Sequence, residues 1–106
     1  MTIQVPNILL TASVLALLVE KDGYGYSLTQ KVKKSLGISE STLYPVMRRL
    51  ETEGYLTTYD APHNGRNRRY YKITEQGLKY YNECLTEWRA FKKGIEEILT
   101  EGEIHG

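Results

Sequence analysis

Apolar residues recur along the chain at spacings that change from segment to segment, and each spacing predicts an element. Between Ile8 and Val19 they fall around much of a helix, as Ile8, Leu9, Leu10, Val14, Leu15, Leu17 and Leu18, preceded by Pro6-Asn7 and closed by Asp22-Gly23. Such a helix needs apolar cover on more than one side. One face serves its own domain; the other predicts contact with a second chain. After Gly23-Tyr24-Gly25, Leu28, Val32 and Leu36 recur every fourth residue, which predicts a shorter helix over Tyr26 to Ser35, ended by Gly37, with Lys31, Lys33 and Lys34 facing elsewhere. Ile38-Ser39 starts a third helix that runs to about Glu53 and stops at Gly54, the usual C-cap residue. On it Leu43, Val46, Met47 and Leu50 form one inward stripe. Helix, short Gly-containing turn, helix is the pattern of a helix-turn-helix.

Beyond Gly54 the composition becomes aromatic and β-branched, over Tyr55 to Tyr59 and again over Arg69 to Ile73, which predicts a β-hairpin. Its tip, Pro62-His63-Asn64-Gly65-Arg66-Asn67, reads as long and basic, with Asn64-Gly65 supplying the positive φ of a turn. Tyr70 and Tyr71 alternate across the strand, so one belongs to the core and the other to the surface. Thr74 caps a last helix whose positive end suits Glu75 and Gln76, and which reaches Leu99 at a length of about 40 Å. In that helix Leu78, Tyr81, Leu85, Trp88, Ile95 and Ile98 follow a near-heptad spacing, broken by Phe91 and Lys92. A lone long helix with such a stripe must find a partner. Two copies about a two-fold axis, each also meeting Ile8 and Leu9 of the other chain's first helix, would bury both surplus faces. The expected fold is mainly α with a small β-hairpin, an α+β arrangement.

Composition sharpens this picture in one respect. At 106 residues the chain has the length of a single domain, and its net charge of +1 hides a division. Residues 23 to 74 carry +5, while residues 1 to 22 carry −1 and residues 75 to 106 carry −3. The middle is basic and the tail acidic. The lone Cys84 cannot staple the fold, and the first apolar stretch, interrupted by Thr11 and Ser13, is shorter than the roughly 20 residues of a spanning helix. It also lacks a basic leader with a small-residue cleavage site, so a cytoplasmic protein with no membrane segment is expected.

The stripe of the third helix opposite its apolar face is Ser41, Tyr44, Pro45 and Arg48. Arg48 can fork onto guanine or a phosphate, Tyr44 can donate to a phosphate, and Ser41 is small enough to approach the duplex. A solvated helix face would explain the same residues, and the neighbouring hairpin favours DNA. Between Ala61 and Thr74 there is no acid, while Arg66, Arg68, Arg69 and Lys72 contribute +4. Each arginine alone reads as a solubilising charge; as a group at a tip with no packing duty they suit a polyanion. The candidate DNA-binding residues are Tyr26, Lys33, Lys34, Ser39, Ser41, Thr42, Tyr44, Pro45, Arg48, Arg49, Gly65, Arg66 and Arg68. Pro45 leaves the helix start open: with Ser39 as cap it removes a donor past the first turn, and with Thr42 as cap it lies within that turn.

The run Ser41-Thr42-Leu43-Tyr44-Pro45, followed by Arg48-Arg49-Leu50-Glu51 and Glu53-Gly54-Tyr55-Leu56, resembles the PadR family of bacterial transcriptional regulators. Gly23-Tyr24-Gly25-Tyr26 upstream and Gly65-Arg66, Arg69-Tyr70-Tyr71 and Ile73-Thr74-Glu75-Gln76-Gly77 downstream extend the resemblance over about residues 8 to 78. The single C-terminal helix looks like the short subfamily that includes regulators of multidrug transporters. The resemblance implies a winged helix-turn-helix over residues 1–73 and a C-terminal dimerisation helix with a short tail over residues 74–106. It further implies a homodimer on a pseudo-palindromic operator with half-sites about 34 Å apart, usually a repressor relieved by a small molecule. No cofactor or metal is implied.

Trp88 has two readings: a seam residue of the dimer, or, as in drug-sensing members of the resembled subfamily, the wall of an aromatic pocket shared with its symmetry mate. Leu85 and Glu87 complete the expected ligand site. Glu83 and Glu87 would balance a cation, although helical pairing with Lys79, Arg89 or Lys92 has an equal claim on them. Other classes fit poorly. Cys84 sits in a helix stripe while His63 lies on the hairpin and His105 in the tail, which gives neither a nucleophile with its base nor a metal-ligand spacing. A winged helix used for protein contacts alone leaves the basic hairpin unexplained.

Overall fold

The computed structural model describes residues 3–105, so residues 1–2 of the expected first unit and Gly106 of the expected tail lie outside it. In chain order the elements are α1 (Asn7–Ala16), β1 (Gly23–Tyr24), α2 (Gly25–Leu36), α3 (Glu40–Thr52), β2 (Leu56–His63), β3 (Arg66–Ile73) and α4 (Glu75–His105). The stripes of the first three helices share one core: Val14 and Leu15 of α1, Leu28 and Val32 of α2, and Leu43, Val46, Met47 and Leu50 of α3. Leu56 and Tyr71 close it from the sheet. Burial of each such aliphatic side chain stabilises the fold by about 1.5–3 kcal/mol.

The first helix is shorter than its apolar run, because the chain leaves it at Leu17 through tighter bonds from Leu18 N to Leu15 O (3.0 Å) and Val19 N to Ala16 O (3.4 Å). That turn drives Leu18 into the core and leaves Val19 outside. Helix α2 ends as expected on Gly37 at φ 69°. The start of α3 is settled in favour of Ser39, whose carbonyl accepts from Thr42 N and Leu43 N at 3.1 and 3.2 Å. Pro45 therefore lies inside the helix, and it withholds a donor from the Ser41 carbonyl on the exposed side.

The wing differs from the expected long-tipped hairpin. Strands β2 and β3 pair without interruption from Leu56↔Ile73 to His63↔Arg66, so only Asn64 and Gly65 turn, at φ 52° and 78°. Two left-handed residues make the tight turn that matches strand twist. Pro62 is tolerated because β2 is an edge of the sheet, whose order is β1-β3-β2. The two-residue β1, too short to leave a pattern, adds Gly23↔Tyr71 and Tyr24↔Tyr70.

Thr74 caps α4 as expected, its hydroxyl accepting from Gly77 N at 2.9 Å and donating to Gly54 O at 2.7 Å. A Cβ at Gly77 would stand 2.1 Å from the Tyr55 carbonyl oxygen, so only glycine lets the helix approach this close. Tyr80 stacks on Tyr55 with centroids 4.6 Å apart. The first half of α4 lies on α1 of its own chain, where cover from a second chain's α1 was expected. With 31 residues α4 outruns the expected end at Leu99, and it gives the molecule a longest dimension of 60 Å.

Candidate nucleic-acid interface and apolar pocket

Successive residues of a helix turn by about 100°, so the burial of Leu43, Val46, Met47 and Leu50 sends Tyr44 and Arg48 to the opposite side of α3. There they face the start of α2 and the sheet across a cleft of about 450 Å³ lined by Tyr24, Gly25, Tyr26, Tyr44, Arg48, Arg69 and Tyr71. A Cβ on Gly25 would stand 3.1 Å from the Tyr71 ring, so the glycine brings α2 close to the sheet. Burial, with Glu51 adding to it, pushes the Tyr71 phenol up, and Arg69 and Arg48 work against that rise. The phenol stays a neutral donor and acceptor between two guanidinium groups. Two permanent cations and several phenols around an open cleft match phosphate oxygens and the edges of bases.

Alternation along the wing decides which cations reach this cleft. With Tyr71 buried, Arg69 shares its face of the sheet and points toward α3, while Arg66, Arg68, Tyr70 and Lys72 occupy the outer face. Arg69, absent from the candidate set, is the wing residue that lines the cleft with Arg48. The signal was available, since a choice of Tyr71 as the core tyrosine fixes Arg69 two residues away. It is loosely held: Arg69 Nε lies 3.7 Å from Asp60 Oδ1, with both side chains more than 60% exposed, a weak pair in water.

Arg68, expected as one of a group of unpaired cations at the tip, has a partner within the fold. Its Nη1 donates to the Tyr24 hydroxyl at 2.9 Å, its guanidinium carbon lies 5.0 Å from the Tyr24 ring centroid, and its Nε is buried without a hydrogen-bond partner among the described residues. The side chain folds back on the sheet. Arg66 and Gly65 do sit exposed at the tip.

Arg49 is held on the other side of α3. One position along the helix from Arg48, it turns toward α1, where Nη2 donates to Thr11 Oγ1 at 2.9 Å and the Asn7 amide oxygen accepts from Nη1 and Nη2 at 2.7 and 3.0 Å. Ser39, Ser41 and Thr42 form an exposed hydroxyl cluster at the start of α3, with Ser39 Oγ 3.1 Å from Ser41 Oγ and 3.0 Å from Thr42 Oγ1. Lys33 and Lys34 are exposed in the last turn of α2, where a helix C-terminus favours cations for its own reasons.

Trp88 belongs to a different place, a pocket of about 270 Å³ between the start of α1 and the middle of α4. Pro6, Ile8 and Leu9 form one wall and Cys84, Glu87, Trp88 and Phe91 the other. Three groups expected at a seam between chains, Ile8, Leu9 and Trp88, thus already meet within one chain, and Leu85 lies off the pocket wall. Trp88 and Phe91 stand with ring centroids 6.4 Å apart. Burial raises the Cys84 thiol against the lowering effect of its contact with Tyr80. Among the described residues no helix is long and apolar enough to cross a membrane.

Comparison with known proteins agrees with this geometry. The family model described as transcriptional regulator PadR-like matches residues 14–83, from the core of α1 through α3 and the wing into α4. A Streptococcus mutans protein of solved structure is 39% identical and covers 94% of both chains with a TM-score of 0.88. A PadR family transcription regulator from Clostridium difficile is 27% identical, covers 85% of this chain and 97% of its own, and superposes with a TM-score of 0.78. A transcriptional regulator of Mycobacterium tuberculosis is 34% identical over 83 residues, which is 77% of this chain and 71% of that protein. The chain therefore belongs to the PadR-like family of transcriptional regulators, winged-helix proteins that act on DNA.

Proposed function

We propose that the chain acts as a homodimeric repressor, reading one half of a pseudo-palindromic operator through the cleft of each copy. The observation that carries this reading is the convergence of Arg48, Tyr44, Tyr26 and Arg69 on one open cleft between α3, the start of α2 and the sheet. Arg48 reads a base edge, Tyr26, Tyr44 and Arg69 hold phosphates, and Arg66 reaches the adjoining backbone or minor groove. Dimerisation is supported by the far part of α4, where Phe91, Ile95, Ile98 and Leu99 expose their apolar side chains. Binding to duplex DNA across a salt titration tests the reading. Arg66→Ala is expected to weaken all sequences and flatten the salt slope by about one unit, whereas Arg48→Ala also relaxes base preference. An unchanged slope for Arg66→Ala removes the wing tip from the interface.

A specific observation also favours release by a ligand. The pocket between α1 and α4 presents Trp88, Phe91 and aliphatic walls with Glu87 as the acid among its lining residues, a lining suited to a planar aromatic molecule that bears positive charge. Titration of the protein with planar cationic dyes is expected to quench Trp88. Undiminished emission at saturating dye removes the pocket as an effector site.

A further inference from the structure

The first turn of α1 has two edges that do different things. Pro6, Ile8 and Leu9 stand on the wall of the pocket opposite Trp88, while Asn7, between them, bonds the Arg49 guanidinium of α3. One turn on, Thr11 accepts the same guanidinium and is itself 1% exposed, which fixes that end of the contact in the core. Arg49 is sequence neighbour to Arg48, which lines the DNA cleft. Both acceptors are neutral, so the link holds α3 in place without cancelling its positive field.

We propose that Arg49 is a positioning residue that couples the two sites: through Asn7 and Thr11 it ties the seating of α3 on DNA to the state of the α1–α4 pocket. The inference rests on the DNA-binding reading above and adds the route by which the pocket affects it. The first turn of a helix is one of its two least-bonded ends, here held by Leu9 N and Leu10 N to Pro6 O at 2.9 and 3.2 Å, so it can shift without unwinding the rest of α1. A molecule that displaces Pro6, Ile8 or Leu9 displaces Asn7 with them and changes the seat of Arg49. Linkage requires the converse as well, so DNA that fixes α3 must change the surroundings of Trp88.

That converse needs no identified effector. The full chain is titrated with a labelled duplex carrying the intergenic sequence upstream of its own gene. Anisotropy of the label reports binding, and the emission of Trp88, the single tryptophan, reports the pocket. Wild type is expected to bind with a shift in Trp88 emission, and Arg49→Gln to bind with less than about a third of that shift. Asn7→Ala, a change at an exposed position, is expected to act in the same direction and serves where Arg49→Gln does not fold. A full Trp88 response in the folded variants overturns the inference, as does a wild type that binds duplex with Trp88 silent. A wild type that fails to bind the duplex overturns the DNA-binding reading, and the coupling with it.

Discussion

Between Val14 and Tyr71 the chain buries most of its aliphatic side chains against one another, whereas beyond Trp88 it leaves them in solvent. Leu15, Leu43 and Leu50 are 0% exposed, while Phe91, Ile98 and Leu99 are 60%, 67% and 63% exposed on the far part of α4. The charges divide as well: the helix-turn-helix and wing present cations around a cleft, and residues 75 to 106 are acidic overall. The difference teaches that the cation-lined cleft and the uncovered apolar row occupy separate stretches of chain. The first stretch is complete within one copy; the second is a helix whose apolar row gains nothing until another surface covers it.

Truncation of one buried and one exposed aliphatic residue puts that contrast to its severest test. Leu50→Ala is expected to lower the stability of the body by about 2–5 kcal/mol in urea unfolding, since the rigid surroundings leave a cavity. Ile98→Ala, at protein concentrations low enough to keep copies apart, is expected to cost less than about 0.5 kcal/mol. Equal costs would mean that α4 and the body form one cooperative core. Ile98→Asp addresses the other half of the contrast. If the row pairs about a two-fold axis, each change is counted twice, and sedimentation should show dimerisation weakened by about 3 kcal/mol, on the order of 100-fold, with the fold intact. An unaltered association constant would place the dimer seam elsewhere.

The junction between the two stretches gives a third, smaller effect. Gly77 passes so close to Tyr55 that an added Cβ would meet its carbonyl oxygen at 2.1 Å. Gly77→Ala is expected to destabilise by about 1–3 kcal/mol through displacement of α4 from the body. A crystal structure of the variant with α4 unmoved would show that the Tyr55 segment yields instead.

How much of this was legible depends on how many residues carried each signal. The inward stripe of α3 repeats over two turns and located both the core and Arg48, and Thr74 with Glu75 and Gln76 located the start of α4. Strand β1 has two residues, Gly23 and Tyr24, and no period can be read from two. The wing tip is shorter than its composition suggests because Pro62 and Asn67, turn formers by composition, pair with each other in the ladder, and the edge strand β2 tolerates the proline. Arg49 was grouped with Arg48 because charge alone does not say which side of a helix a residue takes. Its place follows from Thr11 and Asn7, which lie about 40 residues away in the sequence and become neighbours only in the fold.

The same lesson applies within the wing, and it yields the smallest predicted effect. Arg68 and Arg69 are adjacent, carry the same charge and would be interchangeable in any count of cations. Pleating puts them on opposite faces, Arg69 toward Arg48 across the cleft and Arg68 back over Tyr24. A cation that meets phosphate releases counterions and contributes about 0.9 to the slope of log affinity against log salt. Arg69→Ala should therefore flatten that slope by about one unit and weaken binding to every sequence alike. Arg68→Ala removes the same formal charge from a side chain folded back on the outer face of the sheet, so it should change the slope less than Arg69→Ala does. Because Asp60 holds Arg69 at only 3.7 Å in an exposed pair, Asp60→Asn frees the guanidinium and should tighten binding modestly. If the two arginine variants instead flatten the slope equally, the field of the wing as a whole governs its contact with DNA, and the facing of individual residues does not.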